Sequence, residues 1–305
     1  MNRVKLSVIS LLIAAHSLCY SVSPVEFQKA TLNGDTEIVE QGLKEKSYEY
    51  VRLRDKSQNT PLHLACSTRK GGTKSSIIAL LIKYGADVNA VNKHFSTPLQ
   101  IAVASNNLEG AQILLKHPTI NVNKRNVDDR SPLLSAIINR NTQMMNLLLS
   151  HPEINPNAQN IDGMAPLHFT AMWGFVEESE ILINFPQTNP YPKQTQGNFI
   201  GATPLHYGAM QAHPEIVALF LKQKGMDINL TITEGIYEGF SPLHFAVMNH
   251  NTPQVFDTLK LLFEAGFNPQ IKTKSGKAPE DLTSVKVILK FLENPDPSYE
   301  LRKKQ

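Results

Sequence analysis

Two side chains of this 305-residue chain, His63 and Cys66, stand where a base and a thiol nucleophile could stand. Residues three apart on a helix share a face, and a base beside a thiol is the arrangement that makes a reactive thiolate. A second candidate is Gly71-Gly72-Thr73-Lys74, because glycines followed by a lysine are the ingredients of a phosphate cradle. A third is the set His63, His168, His206 and His244, since neutral imidazole is a common zinc ligand. The fourth lies in the two longest connections, 185–200 and 230–240, with Gln194, Thr195, Gln196, Glu234 and Glu238. A catalytic or metal-binding pocket outside the regular elements would have to be built there.

The elements that would position these groups argue against each of them. The glycine pair lacks a preceding strand and the spaced glycines of a phosphate loop, so it reads as an enlarged turn between two helices. The histidines come one per unit of the sequence, whereas a metal needs its ligand atoms within about 2 Å of one ion. Glu234 and Glu238 have no cation or histidine in their own segment, and Gln194, Thr195 and Gln196 are neutral. The chain contains no G-x-S-x-G, H-E-x-x-H or C-x-x-C. No catalytic residue, cofactor or metal is expected.

What does organise the chain is a four-residue phrase. It appears as Thr60-Pro61-Leu62-His63, Thr97-Pro98-Leu99-Gln100, Ser131-Pro132-Leu133-Leu134, Ala165-Pro166-Leu167-His168, Thr203-Pro204-Leu205-His206 and Ser241-Pro242-Leu243-His244. A worn copy, Ala278-Pro279-Glu280-Asp281, closes the series, and the prolines are spaced by 37, 34, 34, 38, 38 and 37 residues. Proline has φ near −65° and no amide donor, which suits the first turn of a helix. A hydroxyl just before it can accept from a free N–H and cap that helix. The leucines point inward. A small residue three positions on (Ala65, Ala102, Ala136, Thr170, Gly208, Ala246) lets neighbouring helices approach. His63 and Cys66 both fall on positions that recur from unit to unit, so their bland reading is structural.

A period near 33 carrying T-P-L-H-x-A is an ankyrin signature, and the chain resembles the ankyrin-repeat family over nearly all its length after the first residues. The resemblance implies an all-α solenoid of stacked helix–turn–helix units with hairpin-like fingers. It also implies that the phrase histidine hydrogen-bonds the neighbouring turn, and that partners dock on a concave face made of the fingers and the first helices. Fold alone does not fix function.

The expected repeat domain spans 25–293. An N-terminal cap at 25–52 carries Phe27, Ala30, Ile38, Val39 and Leu43 at helical spacing. Six full repeats occupy about 55–272, and a C-terminal cap with Lys286, Lys290 and Glu293 on a wetter face covers 273–293. Second helices are marked by Ile77–Ile82, Ile113–Leu115, Leu147–Leu149, Ile216–Leu221 and Leu259–Phe263. Residues 294–305 form a tail. Asn229-Leu230-Thr231 is a glycosylation sequon, meaningful only in a eukaryotic secretory pathway.

Residues 1–21 differ from the rest of the chain. Arg3 and Lys5 precede an apolar run from Leu6 to Ala15, and Ser17, Cys19 and Ser21 offer small residues for cleavage, with the cut expected after Ser21 or Ser23. That is a secretory signal peptide, too short to span a bilayer comfortably, and it implies a secreted or periplasmic protein. An uncleaved anchor tethering it to the membrane is the alternative. Without the leader Cys66 is the one cysteine, so no disulfide framework exists. The net charge of +3 is spread without long runs, which excludes a strong nucleic-acid footprint.

These features predict a non-catalytic module that binds a protein partner, with no nucleic acid, no membrane contact in the mature form and a monomeric state. An enzyme or metal protein built on 185–200 and 230–240, or a purely structural spacer, are the competing classes. Aligning the repeats on the phrase places Ala104, Ile138, Met172, Met210 and Met248 in one column, with Ser105, Asn139, Trp173, Gln211 and Asn249 in the next. The finger tips add Phe95, Met164, Phe199, Ile200, Tyr237 and Phe240. Trp and Tyr are frequent binding hot spots and methionine surfaces adapt to partners. The partner site is therefore expected to be one apolar patch of Met172, Trp173, Met210, Tyr237 and Phe240.

Overall fold

The structure, a computed structural model, describes residues 21–67, 74–249 and 253–293. Nearly all of the leader, the Gly71-Gly72 turn and the tail from 294 onward lie outside the described residues. The chain divides into two compact units, one ending at Asp128 and the other beginning at Asp129. Among the described residues the regular structure is helical, with no strand, and an isolated antiparallel bridge joins Ile200 to Glu234.

The first unit contains α1 (Pro24–Asn33), α2 (Thr36–Tyr50), α3 (Pro61–Cys66), α4 (Ser75–Lys83), α5 (Pro98–Ala104) and α6 (Leu108–Leu115). The second contains α7 (Pro132–Ile138), α8 (Thr142–Leu149), α9 (Pro166–Trp173), α10 (Val176–Asn184), α11 (Pro204–Met210), α12 (Pro214–Leu221), α13 (Pro242–Met248), α14 (Val255–Glu264) and α15 (Lys286–Glu293). Single 3₁₀ turns occupy Gly197–Phe199 and Pro279–Leu282. Within each unit the first helices of successive repeats pack on one another, and the second helices do the same in a parallel row. The core between the rows is the leucine column: Leu62 and Leu99 in the first unit and Leu133, Leu167, Leu205 and Leu243 in the second are all buried.

Each first helix opens with proline at its start, as the phrase requires. The caps differ from simple expectation. Thr97 and Ser131 accept from the N–H groups of Gln100 and Leu134. The hydroxyls of Thr60, Thr203 and Ser241 lie instead 2.8–3.0 Å from the Nδ1 of the histidine three residues on. The small-residue column is equally specific. A Cβ on Gly208 would come within 2.8 Å of Ile216 Cγ2. Where Thr170 replaces alanine, its hydroxyl donates to the Leu167 carbonyl and accepts from Ser179, so a buried polar pair is satisfied.

Two residues before each cap the backbone turns left-handed, at Gln58, Phe95, Asp129, Gly163, Gly201, Gly239 and Gly276. Four of the seven are glycine, which reaches φ > 0 without a Cβ clash. Gly163 is also crowded: a Cβ there would lie 2.5 Å from the backbone nitrogens of both Thr195 and Gln196. Gly163→Ala is expected to lower stability by about 1–3 kcal/mol, because strain and overlap add. Gly85→Ala, where φ is +84° but nothing lies within 4 Å, should cost less. Urea titration of the two variants at neutral pH checks this, and equal losses would show that the contact with the neighbouring finger does not matter.

The long connection at 185–200 is tied down along its length. The Gln194 N–H donates to the Ala202 carbonyl, and its side-chain amide donates to the carbonyls of Asp162 and Gln196. Its Oε1 accepts from the Tyr207 hydroxyl. Thr195 donates to Gln159, and Tyr191 to the Lys224 carbonyl. The polar composition of this segment therefore serves to stitch one finger to the next.

Candidate functional site

The phrase histidines carry the most regular chemistry in the chain. In each of the four, Nδ1 accepts from the backbone N–H of its own cap residue: Thr60 (3.2 Å), Ala165 (2.9 Å), Thr203 (3.1 Å) and Ser241 (3.1 Å). An imidazole thus takes the place of the glutamate or glutamine of a capping box. With Nδ1 an acceptor, the proton sits on Nε2, which faces the carbonyl just before the next cap: Ser96 for His63, Ala202 for His168 and Lys277 for His244. At the equivalent place the Phe240 carbonyl acts on the His206 ring, yet Nε2 of His206 makes no hydrogen bond of ordinary geometry. Burial holds these rings neutral. It lowers the pKa of His63 and of His168 to about 4 and that of His206 to about 3, and it lowers His244 as well. Gln100 closes the same cap without a titratable group, accepting from the Thr97 N–H through Oε1, but its Nε2 donates to the Lys124 carbonyl, well before the next cap at Ser131.

This geometry removes the ingredients of a Cys–His pair. Both ring nitrogens of His63 are hydrogen-bonded to the main chain, and burial pushes the Cys66 thiol well above its usual pKa. A neutral buried thiol is inert. Lys74, the lysine of the glycine-rich turn, sends its ammonium to the carbonyls of Ser67 (2.9 Å) and Leu64 (3.4 Å) at the end of α3, where a cation complements the helix terminus. Glu238 does find a cation, but on the next finger: Lys274 Nζ lies 2.6 Å away. Among the described residues no three His, Cys, Asp or Glu side chains gather in a metal-holding group.

The residues singled out for partner contact lie in the second unit, at the ends of first helices and on the fingers, and all five are partly exposed. They sort into two ring groups. Tyr237 stacks on Phe199 (centroids 4.6 Å, planes 20° apart) and meets Phe240 edge-on at 5.3 Å. Phe245, buried beneath them, is 5.5 Å from Tyr237 and 5.2 Å from Phe240. Trp173 belongs to the other group, between Phe169 (5.2 Å) and Phe175 (5.5 Å). Met172 and Met210 mark the same column of successive helices. Their carbonyls face ring and amide groups of the following repeat, His213 Nε2 at 3.3 Å and Asn249 Nδ2 at 2.9 Å. Of the other finger residues, Met164 is buried, whereas Phe95, in the first unit, is 57% exposed with a left-handed backbone.

The Trp173 group has members that periodicity does not single out. Arg140 lies in the left-handed turn between α7 and α8, and its guanidinium carbon stands 4.9 Å above the Phe175 ring. Its Nε is 3.3 Å from Glu178 Oε1. The Glu178 side chain is 1% exposed and its second oxygen, Oε2, is buried without a hydrogen-bond partner. In sequence, Val176-Glu177-Glu178-Ser179 reads as the wet first turn of a helix; only the position of Arg140 one repeat earlier reveals that Glu178 turns inward.

Comparison with known proteins gives this architecture relatives. The family model for ankyrin repeats (3 copies) matches in overlapping runs at 27–126, 72–160, 133–232 and 192–273. The human transient receptor potential cation channel subfamily A member 1 is 36% identical over 94 residues, which are 31% of this chain and 8% of the channel. Alpha-latrotoxin-Lg1a of Latrodectus geometricus is 31% identical over 103 residues, 33% of this chain and 7% of the toxin. The chain thus spans less than a tenth of either relative. The ankyrin repeat domain of human ASB11 superposes with a TM-score of 0.58 at 23% identity, covering 77% of this chain and 97% of that domain. The ankyrin repeat domain of Bcl-3, a member of the IkappaB protein family, gives 0.51 at 19% identity, covering 88% and 97%. With matches running from residue 27 to residue 273, the chain belongs to the ankyrin-repeat family.

Proposed function

We propose that this chain is a non-catalytic protein-binding module, exported from the cytoplasm and acting as a monomer in a secreted or periplasmic setting. Ankyrin repeats are protein–protein interaction modules, and that coarse statement holds for this family member. Export is supported by the composition of residues 1–21, and no helix among the described residues is long and apolar enough to cross a membrane.

The partner docks on the second unit, against Met172, Trp173, Met210, Tyr237 and Phe240. The observation that carries this reading is the pairing of half-exposed aromatic groups with a stiff frame. Trp173, held between two rings and adjoining the Arg140–Phe175 stack, and Tyr237, stacked on Phe199, are of the residue types that dominate binding energetics. The Met172 and Met210 carbonyls at the same helix ends are held by His213 and Asn249 of the next repeat, so little ordering remains there to oppose binding.

Affinity capture from the native compartment with the processed chain identifies the partner, and substitution then tests the surface. Trp173→Ala and Tyr237→Ala should each weaken the captured complex by about 1–4 kcal/mol while helical content and melting stay near the parent values. Unchanged affinity, or loss of the folded state, would remove that residue from the site.

A further inference from the structure

We propose that the mature chain begins at Val22, and that its new α-ammonium group closes an ion pair with Glu45. The inference rests on the export reading above. Its basis is the placement of Val22. Ser21 is exposed, but Val22 is 6% exposed and built into the first repeat. The Val22 carbonyl accepts from the Tyr50 hydroxyl, and Tyr50 is a fully buried ring 4.8 Å from Phe27. The seat is close-fitting: a Cβ on Gly42 would meet Phe27 at 2.7 Å and Tyr50 at 3.0 Å. Ser23 then caps α1, with Oγ accepting from the Glu26 N–H and Pro24 opening the helix.

This placement decides between the two cleavage points that the leader allows. A cut after Ser23 would remove Val22 and the cap together, leaving the Tyr50 hydroxyl buried without its acceptor, which is costly. A cut after Ser21 leaves both in place, with small residues, Ser21 and Cys19, at the last and third-last positions of the leader. The nitrogen that would be freed already faces a carboxylate. Val22 N is 3.3 Å from Glu45 Oε2, and Oε1 of the same group accepts from Gln41 Nε2. The lysines flanking Glu45 turn to other carboxylates, Lys44 to Glu40 and Lys46 to Glu49.

The step is hydrolysis by an endopeptidase of the secretion machinery. Water adds its hydroxyl to the Ser21 carbonyl carbon and the C–N bond to Val22 breaks. The bonding pair stays on nitrogen, which takes the remaining proton of the water. A further proton from solvent makes it an ammonium, the form an α-amino group holds below a pKa of about 8. A hydrogen bond in which only the carboxylate is charged thereby becomes an ion pair with both partners charged.

The test expresses the full 305-residue chain, leader included, in a secreting bacterial host and sequences the N-terminus of the exported protein. The expected sequence is Val-Ser-Pro-Val. Absence of the chain from the exported fraction overturns the export reading and this inference with it, and Met1 on exported chain indicates the uncleaved anchor and overturns this inference alone. A processed start at Leu18, Tyr20, Pro24 or elsewhere overturns this inference alone. Glu45→Gln then reads out the ion pair: it should lower the melting temperature of the processed chain at least twice as much as that of the unprocessed chain made without export. Equal shifts would overturn the ion pair.

Discussion

Between pH 6.5 and pH 4 the stability of this protein is expected to fall by about 1.4 kcal/mol per pH unit for each of His63, His168 and His206. The sign follows from the protonation states. Above pH 6.5 the imidazoles are neutral in both the folded and the unfolded chain, so stability is complete. Below it the unfolded chain takes up protons, while the folded chain holds His63 and His168 neutral down to about 4 and His206 to about 3. The unfolded state therefore gains until the pH passes those lowered values. Urea titrations at intervals from pH 7 to pH 5, above most carboxylate titration, measure the slope. His168→Gln should keep most of the stability at pH 7, because Gln100 shows that an amide can take the same cap bond and still donate to a downstream carbonyl, and should reduce the slope by one proton's worth. A slope unchanged by that substitution would mean that the folded His168 ring is open to protons.

Leu167→Ala should cost about 2–5 kcal/mol, the loss of a buried leucine plus the cavity left behind. Leu167 is 1% exposed at the centre of the second unit. In a repeat array each element contacts only its neighbours, so the loss should be felt by the helices on either side of α9. Ile161→Ala is the control. That residue is 77% exposed, and its replacement should stay within about 0.5 kcal/mol. Denaturant midpoints for the two variants decide the matter; similar midpoints would show that the leucine column does not form the core.

The fold was legible because the phrase is mechanical. Pro61, Pro98 and their successors each mark a helix start, and the leucine beside each of the first six is buried every time. The candidate site was legible only in part. Column alignment picks out Met172 and Trp173 as neighbours of the helix end, but it carries no information on side-chain partners. Phe169 and Phe175 became visible as the rings flanking Trp173 only through the fold. Glu178 was hidden for a different reason. Local polarity is a surface signal, and it is overridden when a cation from another repeat, here Arg140, reaches the same carboxylate. Lys74 likewise looks like a loop charge in the sequence and proves to be buried against helix carbonyls.

The histidine joints have an evolutionary consequence. Each runs from a helix start to the carbonyl immediately before the next helix start, from His63 to Ser96, His168 to Ala202 and His244 to Lys277. The joint goes with the longer step: the three repeats that make it have prolines 37 or 38 residues apart, whereas the two steps of 34 carry Gln100 and Leu134 at the histidine position. Prolines 34 residues apart and prolines 38 apart coexist in one protein, with the extra residues tied down in the fingers. The stack accepts steps of both lengths, and the residues added in the longer fingers are free to be selected for what they touch. Such a chain can acquire a new specificity one finger at a time without renegotiating its architecture.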